Sequence, residues 1–455
     1  MNKIKPLAAA LVAMGTLSAS SLALADGVMA DDVDSRIMEL ERQLQELRRQ
    51  VSEQQQEISS NTTVIATTKT ELEEEIEEAR PMAKGTKFTY GGYIQLDANF
   101  SDYSEGKPNS LIEDFYVPSL VPVDPGPGIK SDSFTSTNFS AKQSRFFFTT
   151  ATKTDAGLVS TRIELDFILS NQGDERVSNS WSSRLRHAFV KWDYNSRSSI
   201  LAGQSWSTFF NVGALPNLLD FVGPNGTIFV RQPQIRWTTG GLQLAVENPA
   251  TRLNDAGGST YYDNGQEWPD LVARYNGNWG DLSWSAAALG RQLRYENRSN
   301  GGATKDGDDD EFGYGLSFAG KWMLGKDNLS FMVNYGDALG RYMGLNSFND
   351  GYINANGSIK TVDTWGAFLA YEHYWSDRWR STFSISGSSA DNPGNNDYAG
   401  APGLAKEYQS AHANLNWLPA PKLSIGGELI WASKELEDGR DGDMSRVQFA
   451  VKYAF

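Results

Sequence analysis

The chain has 455 residues, a formal net charge of −15, no cysteine and a mean hydropathy of −0.45. The lack of thiols excludes disulfides, thiolate metal sites and cysteine nucleophiles, and the negative charge disfavours nucleic acid as a partner. After residue 25 no apolar run approaches the ~18 residues that a membrane-spanning helix needs, which excludes a helical membrane protein.

The N-terminus has the features of a secretory signal peptide. Lys3 and Lys5 precede an apolar run that begins at Leu7, and an Ala-Leu-Ala triplet at 23–25 forms a small-x-small cleavage site. We therefore expect residues 1–25 to be removed on export. Their removal takes away two lysines and makes the mature chain more acidic.

A heptad repeat follows the signal peptide and predicts a coiled coil. Leu40 and Leu47 occupy the first two d positions. The a positions are filled by Ile37, Leu44, Val51, Ile58, Ile65, Leu72 and Ala79. Because Arg80-Pro81 ends the pattern, we assign 26–84 to a periplasmic coiled-coil segment and expect an oligomer. The a and d residues do not choose between a dimer and a trimer, and a single amphipathic helix is the alternative.

From Phe88 to the C-terminus, apolar and polar residues alternate with period two, which predicts β-strands. Short turns are predicted near 154–157, 195–197, 240–241, 276–281, 324–328, 376–378 and 418–422. Long loops are predicted near 101–140, 170–183, 204–227, 248–268, 294–310, 338–360, 389–405 and 434–443. Seven turns and eight loops separate sixteen strands. Short turns at one end and long loops at the other are typical of a transmembrane β-barrel, and about 16 strands leave a water-filled channel. We therefore assign 85–455 to a sixteen-stranded antiparallel barrel.

The last strand, 444–455, shows the alternation most clearly. Its apolar face consists of Val447, Phe449, Val451, Tyr453 and Phe455. Its polar face consists of Arg446, Gln448 and Lys452. The alternative is a half-buried edge strand of a soluble sandwich, but a sandwich has no reason to separate short turns from long loops.

Tryptophans at predicted strand ends or turns are expected to form interfacial girdles: Trp237, Trp279, Trp284, Trp322, Trp365, Trp375, Trp379, Trp417 and Trp431. One segment, 184–194, departs from the pattern. The phase that places Val190 and Trp192 outward also places Arg184 and Arg186 outward. Either these arginines lie above the bilayer or a bulge shifts the register.

The predicted third loop, 204–227, is too apolar for a solvated surface loop. Its apolar residues include Trp206, Phe209, Phe210, Leu218 and Phe221. Folding into the barrel would bury these side chains and narrow the channel, so we expect them to form a constriction. Packing of the loop against a neighbouring protomer is the alternative.

The acidic residues concentrate in the loops and the N-terminal segment, whereas the inward strand faces carry an excess of arginine. On the predicted phases the inward cations are Arg145, Arg162, Arg236, Arg274, Arg291, Arg380, Arg446 and Lys452. Carboxylates at similar positions include Asp97, Glu164, Asp166, Glu247 and Glu428. Because guanidinium groups suit carboxylates through forked hydrogen bonds, we predict that the first six arginines line the pore and favour small anions. A structural ion pair across the lumen is the alternative for each.

A family resemblance rests on the heptad segment before a sixteen-stranded barrel and on three short motifs. The motifs are GGYIQLD at 91–97, RHAFVKW at 186–192 and GQSWSTF at 203–209. This combination resembles the DcaP-like porins over the whole mature chain. The resemblance implies a homotrimer with a periplasmic coiled coil that passes small anions such as dicarboxylates. It transfers no solute-contact residues.

Together these patterns predict a porin of the bacterial outer membrane, a passive diffusion channel with no catalytic site, cofactor or metal ion. Three histidines, His187, His373 and His412, and no cysteine leave little catalytic machinery. The expected partners are further copies of the chain, outer-membrane lipid and lipopolysaccharide, and small anionic solutes. The alternatives are a non-selective general porin and a structural or adhesive protein that uses the barrel as an anchor.

Overall fold

The computed structural model describes residues 38, 42–51, 85–168, 182–255, 259–263, 266–296, 308–345 and 347–455. The predicted signal peptide and most of the heptad segment lie outside these residues. Within the segment, residues 42–51 are helical, and the heptad side chains of Leu44, Leu47 and Val51 are exposed. The pairing of such helices stays a prediction. In the described parts of the chain, no helix is long and apolar enough to cross a membrane.

β-Strands make up most of the remaining structure. In chain order they are β1 (Thr86–Tyr103), β2 (Phe134–Ser140), β3 (Arg145–Thr154), β4 (Gly157–Asp166), β5 (Arg184–Asp193), β6 (Ser198–Trp206), β7 (Arg231–Thr239), β8 (Leu242–Glu247), β9 (Thr251–Asn254), β10 (Thr260–Asp263), β11 (Asp270–Trp279), β12 (Leu282–Glu296), β13 (Asp308–Leu324), β14 (Asp327–Asp337), β15 (Gly351–Ile353), β16 (Ile359–Thr361), β17 (Asp363–Tyr374), β18 (Trp379–Asp391), β19 (Ala405–Ala420), β20 (Leu423–Leu436) and β21 (Asp441–Ala454). Helical turns are short: the α-helix Ser110–Asp114 and the 3₁₀ turns Pro118–Leu120, Val212–Ala214, Gly340–Tyr342 and Ala401–Gly403.

Sixteen spanning strands close into one antiparallel barrel. Residues 86–93 of β1 pair with β3, and residues 97–103 of β1 pair with β2. Strands β2 and β3 are therefore one spanning strand, interrupted at 141–144. Pairing of β1 with β21 closes the sheet. The predicted strand count is confirmed, whereas the end of the predicted loop 101–140 is wrong, because its last residues form β2.

All seven predicted short turns join consecutive spanning strands and lie at one end of the barrel. We number the long connections at the other end in chain order and use four of them below: loop 1 (104–133), loop 3 (207–230), loop 4 (248–269) and loop 6 (338–362). Loops 4 and 6 carry a second small sheet of strand order β10-β9-β15-β16. The sequence pattern did not predict this sheet, because strands of three or four residues are too short to show a period.

The two faces of the barrel wall differ in polarity as predicted. On β21, Val447, Phe449 and Val451 are exposed on the outside, whereas Arg446 and Gln448 are buried on the inside. In lipid the outer set contacts acyl chains and the inner set faces the lumen. Of the nine girdle tryptophans, Trp284 is half-buried. The other eight are exposed: Trp237, Trp279, Trp322, Trp365, Trp375, Trp379, Trp417 and Trp431.

A β-bulge explains the segment that departs from the alternation. The register of β4 against β5 shifts between Glu164 and Leu165, which leaves Arg186 as an extra residue on β5. Leu185 is exposed on the outside, whereas Arg186 is only 2% exposed. Since a bulge re-aims the side chains next to it, Arg184 and Arg186 both face the lumen. The second of the two alternatives for this segment is confirmed.

Candidate functional site

Loop 3 turns into the lumen directly after β6. Thr208 donates its backbone N–H to Glu247 Oε1 at 2.6 Å, and Arg274 Nη1 donates to the Phe210 carbonyl at 2.6 Å. Arg236 Nε donates to Thr208 Oγ1 at 2.8 Å. These three wall residues stand on the inner faces of β8, β11 and β7. Their hydrogen bonds therefore fix the stem of loop 3 inside the barrel.

The first half of loop 3 packs into an apolar cluster within the lumen. Phe209 and Phe210 are each 1% exposed, and Tyr342 and Met343 of loop 6 pack with them. The wall beneath them carries small or apolar inward side chains: Ala245, Val272, Ala287, Leu289, Ala319, Met332 and Phe368. Burial stabilises each large side chain by about 1.5–3 kcal/mol. Loops 3 and 6 therefore fill the part of the lumen that β8 to β17 enclose.

Beyond this cluster, loop 3 crosses the lumen and meets one strand of the wall after another. Contacts to β12, β13, β17 and β20 follow in order: Asn211 Nδ2 donates to Ser285 Oγ at 2.8 Å, Lys321 Nζ donates to the Leu215 carbonyl at 3.2 Å, Asn217 Nδ2 donates to Glu372 Oε1 at 2.9 Å, and the Leu219 N–H donates to Glu428 Oε2 at 2.7 Å. Polar groups thus tie the crossing segment to the wall along its whole length.

The return of loop 3 lies against the backbone of the wall. Gly226 has a φ of +73°, and a Cβ there would lie 2.6 Å from Ala367 N and 2.7 Å from Gly387 O. Asn334 Nδ2 donates to the Gly226 carbonyl at 2.8 Å. Only glycine accommodates both this conformation and this close approach.

Loop 1 covers the neighbouring part of the lumen, beside β20 and β21. Ile112 and Tyr116 pack with Ile430 and Met444 in a second apolar cluster. Loop 1 also contacts loop 3, since the Tyr116 N–H donates to Asp220 Oδ1 at 2.8 Å. Burial raises the pKa of the Asp220 carboxyl, which lies in loop 3 and not on a spanning strand.

The inner surface of β3, β4, β5 and β7 carries a cluster that we call the arginine wall: Arg145, Arg162, Arg184, Arg186 and Arg231. Glu164 pairs with Arg162 and Arg186, and Asp166 pairs with Arg184 and Arg186. Five guanidinium groups against two carboxylates leave three positive charges in excess. The side chains of Arg145, Arg162 and Arg184 remain 22%, 32% and 22% exposed.

Two aromatic residues face the arginine wall, Trp206 at the end of β6 and Phe221 in the middle of loop 3. The guanidinium carbons of Arg184 and Arg186 each lie 5.6 Å from the Phe221 ring centroid, and that of Arg231 lies 4.2 Å from the Trp206 ring. A cavity of about 330 Å³ adjoins this contact. Its lining includes Tyr93, Arg145, Leu218, Phe221, Arg380 and Lys452. This cavity therefore has loop 3 on one side and wall residues that include Arg145, Arg380 and Lys452 on the other.

Two of the six arginines predicted for the pore border this cavity, and a third belongs to the arginine wall. Arg145 and Arg380 border the cavity. Arg162 belongs to the arginine wall and stacks on Phe147, with its guanidinium carbon 4.2 Å from the ring centroid. Among the predicted constriction residues, Leu218 and Phe221 border the same cavity, while Trp206, Phe209 and Phe210 pack in or against the apolar cluster of loop 3.

The other three predicted arginines hold loops. Arg236 and Arg274 bind the stem of loop 3, as described above. The prediction that Arg291 lines the pore is wrong, because its side chain is fully buried and donates to Asp350 Oδ1 of loop 6 at 2.7 Å. Its phase along β12 is inward, but it lies at the loop end of the strand, where loops 4 and 6 cover it.

Arg184, Arg186 and Arg231 are absent from the predicted set. Arg184 and Arg186 share their strand phase with the outward apolar residues of β5, and this conflict was the signal in the sequence that indicated a bulge. Arg231 gives no such sign, because it begins β7 directly after loop 3, and only the packing of Trp206 brings it to the wall.

A closed sixteen-stranded barrel whose lumen is narrowed by an inserted loop defines a channel of the porin type in the outer membrane. The family model described as "DcaP outer membrane protein" matches residues 21–455. The chain therefore belongs to the DcaP outer membrane protein family. No curated protein sequence matches it.

One solved structure supports the same fold, and two more distant ones are also similar. The outer membrane channel DcaP of Acinetobacter baumannii is 22% identical, with a TM-score of 0.65 over 82% of this chain and 99% of that one. OmpT of Vibrio cholerae is 9% identical with a TM-score of 0.47, over 82% of this chain and 99% of that one. OmpF of Salmonella typhi is 12% identical with a TM-score of 0.49, over 82% and 98%. The last two likenesses are too remote to bear on fold or function.

Replacing Gly226 by alanine is expected to dislodge the return of loop 3. The added Cβ would lie 2.6 Å from Ala367 N, and the φ of +73° strains any other residue. We expect the free energy of unfolding, measured by urea titration in lipid vesicles, to fall by about 1–3 kcal/mol. The matched control is Gly213→Ala in the same loop, where the nearest atom is a side-chain oxygen of Asn211 at 3.2 Å. Equal stability of the two variants would contradict the docking of Gly226 against the backbone of β17 and β18.

Proposed function

We propose that the protein is a passive diffusion channel that favours small anionic solutes such as dicarboxylates. The observation that carries this proposal is the arginine wall beside the open lumen. Five guanidinium groups there face two carboxylates, and three of the arginines keep a fifth to a third of their side-chain surface exposed. Arg145 of this wall borders the cavity beside loop 3, where a passing solute would meet it.

The negative charge of the whole chain does not oppose this selectivity. At physiological salt, exposed charges beyond a Debye length of ~8 Å are largely screened, whereas charges that line a narrow passage act at close range. Acidic groups such as Asp438 and Asp441 belong to or adjoin the loop between β20 and β21, at the outer rim. The charged residues that border the cavity are four cations, Arg145, Arg380, Lys422 and Lys452, and one carboxyl residue, Asp220.

The partial pairing of the arginine wall suits passage better than tight capture. Glu164 and Asp166 hold the guanidinium groups in place, with N–O distances of 2.8 Å to Arg184 and Arg186. Arg162 and Arg184 turn their Nε–Nη2 edges to these carboxylates, which leaves the Nη1 side of each guanidinium group to bind the carboxylate of a solute. Because each arginine already has a carboxylate neighbour, a solute exchanges with existing contacts and leaves readily.

Removal of the exposed arginines is expected to reduce anion selectivity. We predict that the reversal potential in a KCl gradient shows anion preference in the wild type. Arg145→Ala, Arg162→Ala and Arg184→Ala should each shift it towards the cation side, because each change removes one of the three excess positive charges. Arg440→Ala is the control, since Arg440 pairs with Asp438 in the loop after β20. Cation preference in the wild type would overturn the proposal, and unchanged potentials in all three variants would remove these residues from it.

We further propose a homotrimer in which residues 26–84 form a periplasmic coiled coil. The exposed heptad residues of the helix 42–51 support the coiled coil. The outer surface of β1, β3 and β4 supports contact between barrels. There the Thr150 and Thr161 hydroxyls lie 2.7 Å apart, and those of Thr86 and Thr152 lie 2.8 Å apart. Hydroxyl groups on the outer face of the barrel are more favourable against a neighbouring protein, which can offer hydrogen bonds, than against acyl chains, which cannot.

Deletion of residues 26–84 is expected to leave oligomeric barrels. The outward threonine pairs of β1, β3 and β4 remain in the truncated protein, and they adjoin the exposed apolar residues Phe148 and Ile163. Light scattering in detergent measures the mass of the truncated protein. Monomers would contradict an interface between barrels and would make the coiled coil the sole cause of assembly.

A further inference from the structure

The tip of loop 3, residues 218–222, is held by one ionisable side chain of the barrel wall. Glu428 Oε2 accepts the Leu219 N–H at 2.7 Å, and Glu428 Oε1 accepts the Asp220 N–H at 3.4 Å. At the neighbouring strand, Gln448 Nε2 donates to the Leu219 carbonyl at 3.4 Å. The backbone of the tip therefore meets the wall chiefly through the two oxygens of Glu428.

Glu428 is buried and fully supplied with donors. Its side chain is 0% exposed. His412 Nδ1 lies 3.0 Å from Oε1, and Asn414 Nδ2 donates to Oε2 at 3.0 Å. Hydrogen bonds to an ionised group are shorter and about twice as strong as neutral ones. Four polar neighbours therefore hold the Glu428 carboxylate in position, and Glu428 in turn holds the tip of loop 3.

Asp220 extends this connection to loop 1. Its Oδ1 accepts the Tyr116 N–H at 2.8 Å, and its Oδ2 accepts the Val222 N–H at 3.2 Å. Asp97 and Arg446 also act on the Asp220 carboxyl through their charges. Loop 1, the tip of loop 3 and the wall at β19 and β20 thus form one hydrogen-bonded unit.

The tip lies between this unit and the arginine wall. Leu219 contacts Glu428 on β20, while the ring of Phe221, two residues on, faces Arg184 and Arg186 at 5.6 Å. A displacement of the tip from Glu428 therefore changes the distance between Phe221 and the arginines. Leu218, Leu219 and Phe221 of the tip also border the cavity, so a displacement of the tip changes the width of that cavity as well.

We infer that Glu428 is a positioning residue that sets the width of the passage by anchoring the tip of loop 3. The inference rests on the proposed channel function and adds to it a determinant of solute size. It separates two roles within the lumen: the arginine wall selects charge, and Glu428, on the other side of the tip of loop 3, selects size.

The test is Glu428→Gln, which keeps the side-chain volume but replaces one acceptor oxygen by a donor that faces other donors. Each lost hydrogen bond to the carboxylate shifts the equilibrium towards a released tip by about tenfold. In planar bilayers we expect about a tenfold or larger increase in the time spent at a higher conductance level. Liposome swelling should admit larger neutral sugars, on which the removed charge has no effect. Glu435→Gln is the matched control, because Glu435 lies on the same strand and pairs with Lys406 at the rim.

A tether tests whether displacement of the tip is the cause. Because the chain has no cysteine, Asn217→Cys and Asn414→Cys introduce a unique pair where Asn414 Nδ2 donates to the Asn217 carbonyl at 2.9 Å. The cysteine pair is introduced both into the wild-type protein and into the Glu428→Gln variant, and it is closed with a short thiol cross-linker. After cross-linking, the two proteins should admit sugars up to the same size. The cross-linked protein also serves if Glu428→Gln alone does not fold.

The outcomes distinguish this inference from the channel proposal. Unchanged conductance levels and an unchanged size limit in Glu428→Gln would overturn the role of Glu428, and so would a tether that fails to restore the limit. Neither result touches anion preference, which the reversal potential measures independently. A wild-type channel without anion preference would instead overturn the proposed selectivity.

Discussion

The structure depends on closure of the backbone hydrogen bonds of its sheet. A chain that lies in lipid finds no water for unpaired N–H and C=O groups, so a sheet is tolerated there only if it has no edge. Pairing of β1 with β21 removes the edge. On its other side, β1 forms its hydrogen bonds with β2 and β3, which together make one spanning strand. Closure leaves an interior that is screened from lipid, and every feature of the solute pathway is built in that interior.

The interior is divided between two kinds of chemistry. On the side of β8 to β17, inward alanine, valine and methionine side chains accept the aromatic residues of loops 3 and 6 and exclude water. On the side of β3 to β5, inward arginines repel one another and need carboxylates, water or a solute nearby. The first side therefore fixes the loops in place, and the second remains open. Loop 3 is the boundary, because Phe209 packs in the apolar cluster on the first side and Phe221 faces the arginines on the second.

The sequence predicts those features that depend on a repeating local pattern. Period-two alternation and the spacing of turns are enough for sixteen strands and for the outward residues of β21, and the apolar composition of the third loop is enough to predict its insertion. The same alternation misplaces Arg186, because one extra residue in β5 re-aims its neighbours. It assigns Arg291 to the interior correctly, but it gives no height along the barrel, and only the fold of loops 4 and 6 shows that this arginine is covered. Glu428 was only an inward carboxylate in the sequence, because its partners Leu219 and Asp220 are more than 200 residues away along the chain.

Accessibility of single cysteines in the open channel tests the central claim most directly, which is that loops 3 and 6 fill one side of the lumen and leave the arginine-lined side open. The chain has no cysteine, so Arg162→Cys and Ala319→Cys each provide one thiol on an inward position. A water-soluble thiol reagent should block current through Arg162→Cys and leave Ala319→Cys unaffected, because Ala319 is 0% exposed beneath loop 3. Equally rapid block of both variants would contradict the account, since it would place the passage on both sides of the loop.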